Sequence, residues 1–215
     1  MSAGFPGFRL DGKRALVTGA GRGIGLAISR TYAAAGADVI LCARTQAEIE
    51  AAADELKAAG FKAGTLVADV TDVKRFADEI ASLPAVDVFV NNAGTNRPKP
   101  LADVTEADFD AVFDLNVRAA VFAAKAVTQQ MVALAIELGK HRIRVNTICP
   151  TFVETPMTKD YLADRDFRNF VLSKIKLGRL GTVEDVAGAA LYLASDAASL
   201  MTGSALILDG GWTAG

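Results

Sequence analysis

The stretch Arg14–Gly25, reading RALVTGAGRGIG, constrains this 215-residue chain more than any other. Ala15, Leu16 and Val17 form an apolar run too short for a helix and suited to a buried parallel strand, which Thr18 and Gly19 end abruptly. Beyond the glycines, Ile24, Ala27, Ile28 and Ala35 recur at helical spacing, so the local order is strand, glycine turn, helix. Such a turn faces the unpaired N–H groups and the positive dipole end of the helix, which together favour an anion. Glycine there lets a pyrophosphate approach the backbone closely, although glycine-rich turns that bind nothing are also common. Gly19, Gly23 and Gly25, with Gly21 between them, do not have the G-x-G-x-x-G spacing.

Further along, strand-like runs alternate with helical patterns. Ala37 to Leu41, Ala63 to Val67, Val86 to Val90, Ile143 to Ile148 and Ala205 to Leu208 read as strands. Between them, Thr45 and Glu48 form a capping box before a helix ended by Gly60, and a second helix runs from about Asp72 to Ser82. Lys159 to Lys176 reads as a partly charged helical region and Thr182 to Ser195 as a capped helix. This alternation predicts an α/β fold with a doubly wound, Rossmann-like parallel sheet, formed as one domain over residues 1–215, with ligands at the carboxyl ends of the strands. One stretch fits badly. From an N-cap at Thr105, helical pattern continues almost to Lys140, a rod of roughly 50 Å and too long for a globular α/β helix.

The 25 acidic and 23 basic residues leave a net charge of −2, so no electrostatic footprint for nucleic acid or an anionic membrane is visible. No run reaches the length of a membrane span, and the first residues lack a signal-peptide core, which predicts a cytoplasmic protein. Cys42 and Cys149 read as small thiols in a reducing compartment. His141, the only histidine, sits between Lys140 and Arg142 and reads as a solvated turn residue, leaving no metal cluster.

Thr18-Gly19-Ala20-Gly21-Arg22-Gly23-Ile24-Gly25 resembles the T-G-x-x-x-G-I-G signature of the short-chain dehydrogenases/reductases, and Asn91-Asn92-Ala93-Gly94 resembles their second signature. The resemblance continues through Arg144-Val145-Asn146 and Thr155-Pro156-Met157 to Asp209-Gly210-Gly211. It implies a nicotinamide cofactor held by Gly19, Arg22, Gly23, Ile24, Gly25, Arg44, Asp69, Val70, Asn92, Ala93, Gly94, Pro150 and Thr155. Thr155 would face the carboxamide. Thr151 stands where the family usually has glycine. At the end of the second strand, Cys42-Ala43-Arg44 offers no acid for a ribose 2′-hydroxyl, and Arg22 adds a second cation. NADP(H) is therefore expected ahead of NAD(H), unless the two arginines are merely solvated. Asp69 could contact adenine or cap the following helix.

The family reaction interconverts a small-molecule alcohol and a carbonyl. A tyrosine moves the proton, a lysine four residues later favours its charged form, a serine orients the substrate oxygen, and an asparagine holds a water. Asn116, within Leu115-Asn116-Val117, matches the asparagine. The other three have no counterpart, since Tyr32, Tyr161 and Tyr192 are followed four residues later by Gly36, Arg165 and Asp196. A strand–helix unit of roughly 30 to 45 residues is missing between about Met131 and Leu134. Its loss would leave the neighbouring strands about 9.5 Å apart unless they shift together. Phe152, Met157, Tyr161 and Phe167 fit either a substrate pocket or core packing, and Trp212 fits packing. The resemblance also implies a homo-oligomer, often a tetramer, through the helices around Phe113 to Gln130 and the last strand.

Overall fold

The computed structural model describes residues 7–131 and 142–214. Its first half alternates strictly: β1 (Arg14–Thr18), α1 (Gly23–Ala34), β2 (Asp38–Ala43), α2 (Gln46–Ala58), β3 (Ala63–Val67), α3 (Val73–Ser82) and β4 (Val88–Val90). These strands form one parallel sheet in the order β3-β2-β1-β4. β1 is almost wholly buried, as its unbroken apolar run requires of a central parallel strand. One face packs on α1 and α2 through Val17, Ile28, Tyr32, Val39, Leu41, Ile49 and Ala53. The other packs on α3 and α5 through Leu16, Ile40, Phe76, Ile80, Ala123 and Val127.

The long helical pattern after Thr105 divides into α4 (Glu106–Phe113), a π-helical segment (Asp114–Ala119) and α5 (Ala120–Met131). The remainder, with His141, lies outside the described residues. Thr105 caps α4 in a full capping box with Asp108. β5 (Thr147–Pro150), α6 (Lys159–Ala163), α7 (Arg165–Lys174), α8 (Val183–Ala194) and β6 (Ala205–Leu208) follow. The strand expected over Ile143 to Ile148 begins only at Thr147. Before that point, Arg144 and Asn146 donate to the carbonyls of Ser195 and Met201, and Val145 N–H donates to the Thr202 hydroxyl, in place of a ladder.

Among the described residues, β5 and β6 form a separate two-stranded parallel sheet, and no ladder joins β5 to β4. The neighbours of the missing strand have not shifted to pair. The halves are held together by helix packing. Ala187, Ala190 and Ala194 of α8 bury against Ile28 and Tyr32 of α1, with Ile148 of β5 and Leu191 alongside. The buried Tyr32 hydroxyl donates to the Ala190 carbonyl at 2.9 Å, and burial pushes this phenol above its ordinary range. Among the described residues, no helix is long and apolar enough to cross a membrane. Replacing Tyr32 by Phe is expected to lower the unfolding free energy by about 0.5–1.5 kcal/mol. Urea titration checks this, and an unchanged midpoint would mean that the joint does not depend on that bond.

Candidate functional site

The site starts from parallel register. Thr18 lies opposite Cys42 and Ala43 opposite Val67, so the carboxyl ends of β1, β2 and β3 share one edge. Ala20 N–H donates to the Cys42 carbonyl and Ala68 N–H to the Ala43 carbonyl, carrying the stagger into the loops. Gly19, Arg22, Arg44 and Asp69 thereby come to the same side of the sheet.

The glycine turn is closed from within. The fully buried Thr18 hydroxyl donates to the Val90 carbonyl at 3.2 Å and accepts from the N–H groups of Asn92 and Ala93 at 3.0 and 3.1 Å. The Asn92 amide donates to the carbonyls of Thr18 and Gly19. Gly19 has φ +64°, and a Cβ there would stand 2.9 Å from Asn92 Nδ2. At Gly25 a Cβ would collide with the Gly19 carbonyl. Only glycine fits either position.

Helix α1 begins at Gly23 without a side-chain cap. Among the described residues, the N–H groups of Gly23, Ile24 and Gly25 meet no protein acceptor. Free amides beside two glycines, Gly19 and Gly25, that leave no room for a Cβ fit a pyrophosphate. Thr155 and Pro156, beyond β5, lie within van der Waals reach of a Cβ built on Gly23. The Thr155 hydroxyl is 3.1 Å from that of Thr158, which in turn donates to the Val153 carbonyl. Pro150 is exposed at the end of β5.

Arg22 and Arg44 are both exposed, and each meets one carboxylate at 3.6 Å, Glu48 and Asp69 respectively. Asp69 does not cap α3. Asp72 does so, accepting from Arg75 N–H, because it stands directly before the first helical residue. Asp69 instead accepts from the N–H and hydroxyl of Thr71. Against the desolvation that would raise it, these bonds and the Arg44 charge hold its carboxyl below the usual range. Val70 is buried beside it. The capping box expected at Thr45 and Glu48 does not form, since Thr45 makes no side-chain cap bond. The Glu48 side chain crosses to the glycine turn, where a Cβ on Gly21 would stand 2.6 Å from its Oε2. Thr18 and Glu48 are the two residues that the reading of the sequence missed at this site. The i+3 spacing of Thr45 and Glu48 pointed to the cap instead.

On the far side, Asn116 lies in the π-helical segment, a distortion that recurs at functional sites. Its amide makes a two-way bond with Thr95, accepting from N–H and donating to the carbonyl, both at 2.8 Å. A Cβ on Gly94 would lie 3.3 Å from Asn116 Oδ1. The loop beyond is anchored by the buried Asp108, which accepts from Arg97 at 3.3 Å, from Lys99 at 2.6 Å and from Thr105. Phe152 packs on Phe167 and Trp212, while Met157 and Tyr161 stay exposed. Cys42, buried under the sheet edge, has its thiol pushed up to about 12 by desolvation.

Residues 13–135 match the family model described as short chain dehydrogenase, and residues 123–213 match one described as Enoyl-(Acyl carrier protein) reductase. The chain belongs to the short-chain dehydrogenase family. It is 32% identical to a gluconate 5-dehydrogenase of Gluconobacter oxydans, with 96% of each chain covered. It is 36% identical to a galactitol 2-dehydrogenase of Rhizobium johnstonii, covering 96% of this chain and 97% of that one. Among solved structures it is similar to a gluconate 5-dehydrogenase from Burkholderia cenocepacia in complex with NADP and tartrate, with a TM-score of 0.88 and 30% identity. That match covers 97% of this chain and 98% of the other. The alignment with the Gluconobacter relative runs over 247 positions, more than the 215 residues available, so parts of that short-chain dehydrogenase have no counterpart here.

Hydrogen bonds from Lys99, above all, and from Thr105 hold the Asp108 carboxyl far below the usual carboxylate range. A depressed value stabilises the folded state above the unfolded pKa of about 3.9, and the contribution is lost as pH falls below it. Asp108→Asn is therefore expected to lower the melting temperature at pH 7, with the gap to wild type closing below about pH 4. A gap independent of pH would contradict the ionic anchor.

Proposed function

We propose that the chain is an NADP(H)-dependent oxidoreductase of the short-chain family, interconverting a small alcohol and carbonyl. The observation that carries this reading is the glycine turn, where free α1 amides, two glycines with no room for a Cβ and two arginines converge at one strand edge. Gly19, Gly23, Ile24 and Gly25 would hold the pyrophosphate. Arg22 and Arg44 would hold the 2′-phosphate, Asp69 and Val70 the adenine, and Asn92, Ala93 and Gly94 the adjoining ribose. Pro150 and Thr155 would border the nicotinamide, and Asn116 would orient a water through the chain at Thr95. The cofactor supplies the hydride chemistry when bound. The relatives' names favour polyols, aldonates or their keto forms as substrates. The free thiols of Cys42 and Cys149 accord with a reducing cytoplasm.

A second reading, NADP(H) binding without turnover, is favoured by one observation: the 215 residues contain no Tyr-x-x-x-Lys. The two are separated by titrating the purified chain with NADPH and then supplying NADP⁺ with sugar alcohols and aldonates. Saturable binding with reduced nicotinamide forming supports the oxidoreductase. Binding with none formed supports the second reading, and absence of binding overturns both.

Phe109, Phe113, Val117 and Val121, four residues apart, leave an exposed apolar stripe along α4, the π segment and α5. This stripe supports the homo-oligomer that the family resemblance implies. Val121→Glu is expected to shift the chain toward monomer in light scattering, whereas an unchanged mass would move the contact elsewhere.

A further inference from the structure

The adenosine end of the cradle carries a charge that the proposed function does not use. Arg22, within the glycine turn, and Arg44, after β2, are its cations; Glu48, on α2, and Asp69, after β3, are its carboxylates. The two carboxylates are held differently. Asp69 is fixed by two bonds from Thr71 at 2.9 and 2.7 Å, so it cannot leave Arg44 without breaking them. Glu48 makes no hydrogen bond among the described residues, and its sole ionic contact is Arg22 at 3.6 Å. Its side chain lies instead along Gly21, with Cβ 3.0 Å and Oε2 2.6 Å from where a Gly21 side chain would begin. Gly21 is the glycine of the turn outside the T-G-x-x-x-G-I-G positions, and the close approach of Glu48 accounts for it.

We propose that Glu48 is a displaceable counter-charge that tempers the preference for the phosphorylated cofactor: it neutralises Arg22 in the free protein and opposes a 2′-phosphate in the bound one. The inference rests on the assignment of this cradle to NADP(H). A phosphate of charge near −2 meeting Arg22 must draw the guanidinium away from Glu48 and sits beside the carboxylate it has displaced. A ribose 2′-hydroxyl carries no charge and leaves the pair intact. Glu48 therefore weakens binding of the phosphorylated cofactor selectively. Because Arg22 is largely exposed and Glu48 half-buried, the effect has about the size of a surface ion pair, a factor of about 2 to 5 in affinity, and fades as salt screens it. Glu48 touches no reacting atom and acts through Arg22, so it is a positioning residue.

The test compares dissociation constants of NADPH and NADH for wild type and Glu48→Gln, by calorimetry at low and high salt, with Glu48→Ala as a second variant and urea melts as the folding control. The expected result is NADPH binding about 2- to 5-fold tighter in both variants at low salt, NADH binding unchanged, and a smaller gain at high salt. Equal changes for the two cofactors, or no change for either, would overturn the role of Glu48 while leaving the cofactor site standing. Weaker NADH binding in Glu48→Gln would also overturn it, since the carboxylate would then be accepting from the ribose hydroxyl. A wild type that prefers NADH, with the order reversed in Glu48→Gln, would support Glu48 and refute only the NADP(H) preference. Binding of neither cofactor to wild type would overturn both.

Discussion

The Thr18 hydroxyl is the point on which the site depends. It is fully buried, and its bonds to Val90, Asn92 and Ala93 use both its donor and its acceptor capacity. Through them the end of β1 is tied to the end of β4, and the Asn92 amide then fills the space where a side chain at Gly19 or Gly25 would stand. The turn therefore keeps its shape without a ligand, and the free amides of α1 stay aimed outward. Removing the hydroxyl would take the acceptor from the half-buried N–H groups of Asn92 and Ala93. That frame sets Arg22 and Arg44 at one strand edge, two exposed cations that the proposed site would bring to one phosphate.

The packing of α8 on α1 explains how the fold withstands its break. Everything from β1 to α5 is organised around the β3-β2-β1-β4 sheet, which is complete up to β4. Beyond the break, β5 and β6 pair only with each other, and their position follows from α8 packing on α1 rather than from a continuous ladder. This places Thr155 against Gly23 although the strands between them do not meet. The proposed cofactor cradle thus draws on residues from both sides of the gap. The proton-handling side depends on a tyrosine and lysine one helical turn apart, which the chain lacks. Tyr32 cannot stand in for that tyrosine, being buried and committed to Ala190.

Much of this was legible in the residues. Apolar runs bounded by glycine located the first four strands because a buried parallel strand leaves little choice of composition, and Thr105 and Thr182 announced caps that form as read. Side-chain choices between two partners were not legible. Thr45 and Glu48 have capping spacing, yet Glu48 meets Arg22 because the parallel register sets α2 beside the glycine turn, a long-range fact. Asp69 and Asp72 compete for one cap, and position relative to the first helical turn decides it. The late start of β5 reflects the claims of Met201, Thr202 and Ser195 on Arg144, Val145 and Asn146, partners more than fifty residues away in sequence.

The central claim is that the chain keeps the cofactor half of a short-chain dehydrogenase and lacks only the unit that moves the proton. Its most direct test is to insert, at the break near Met131, the corresponding strand–helix unit of the Gluconobacter gluconate 5-dehydrogenase and assay NADP⁺-dependent oxidation of gluconate. The account predicts that the folded insertion protein turns gluconate over far faster than the 215-residue chain. A folded insertion protein that binds NADPH but is no more active than the chain without the insertion would contradict it.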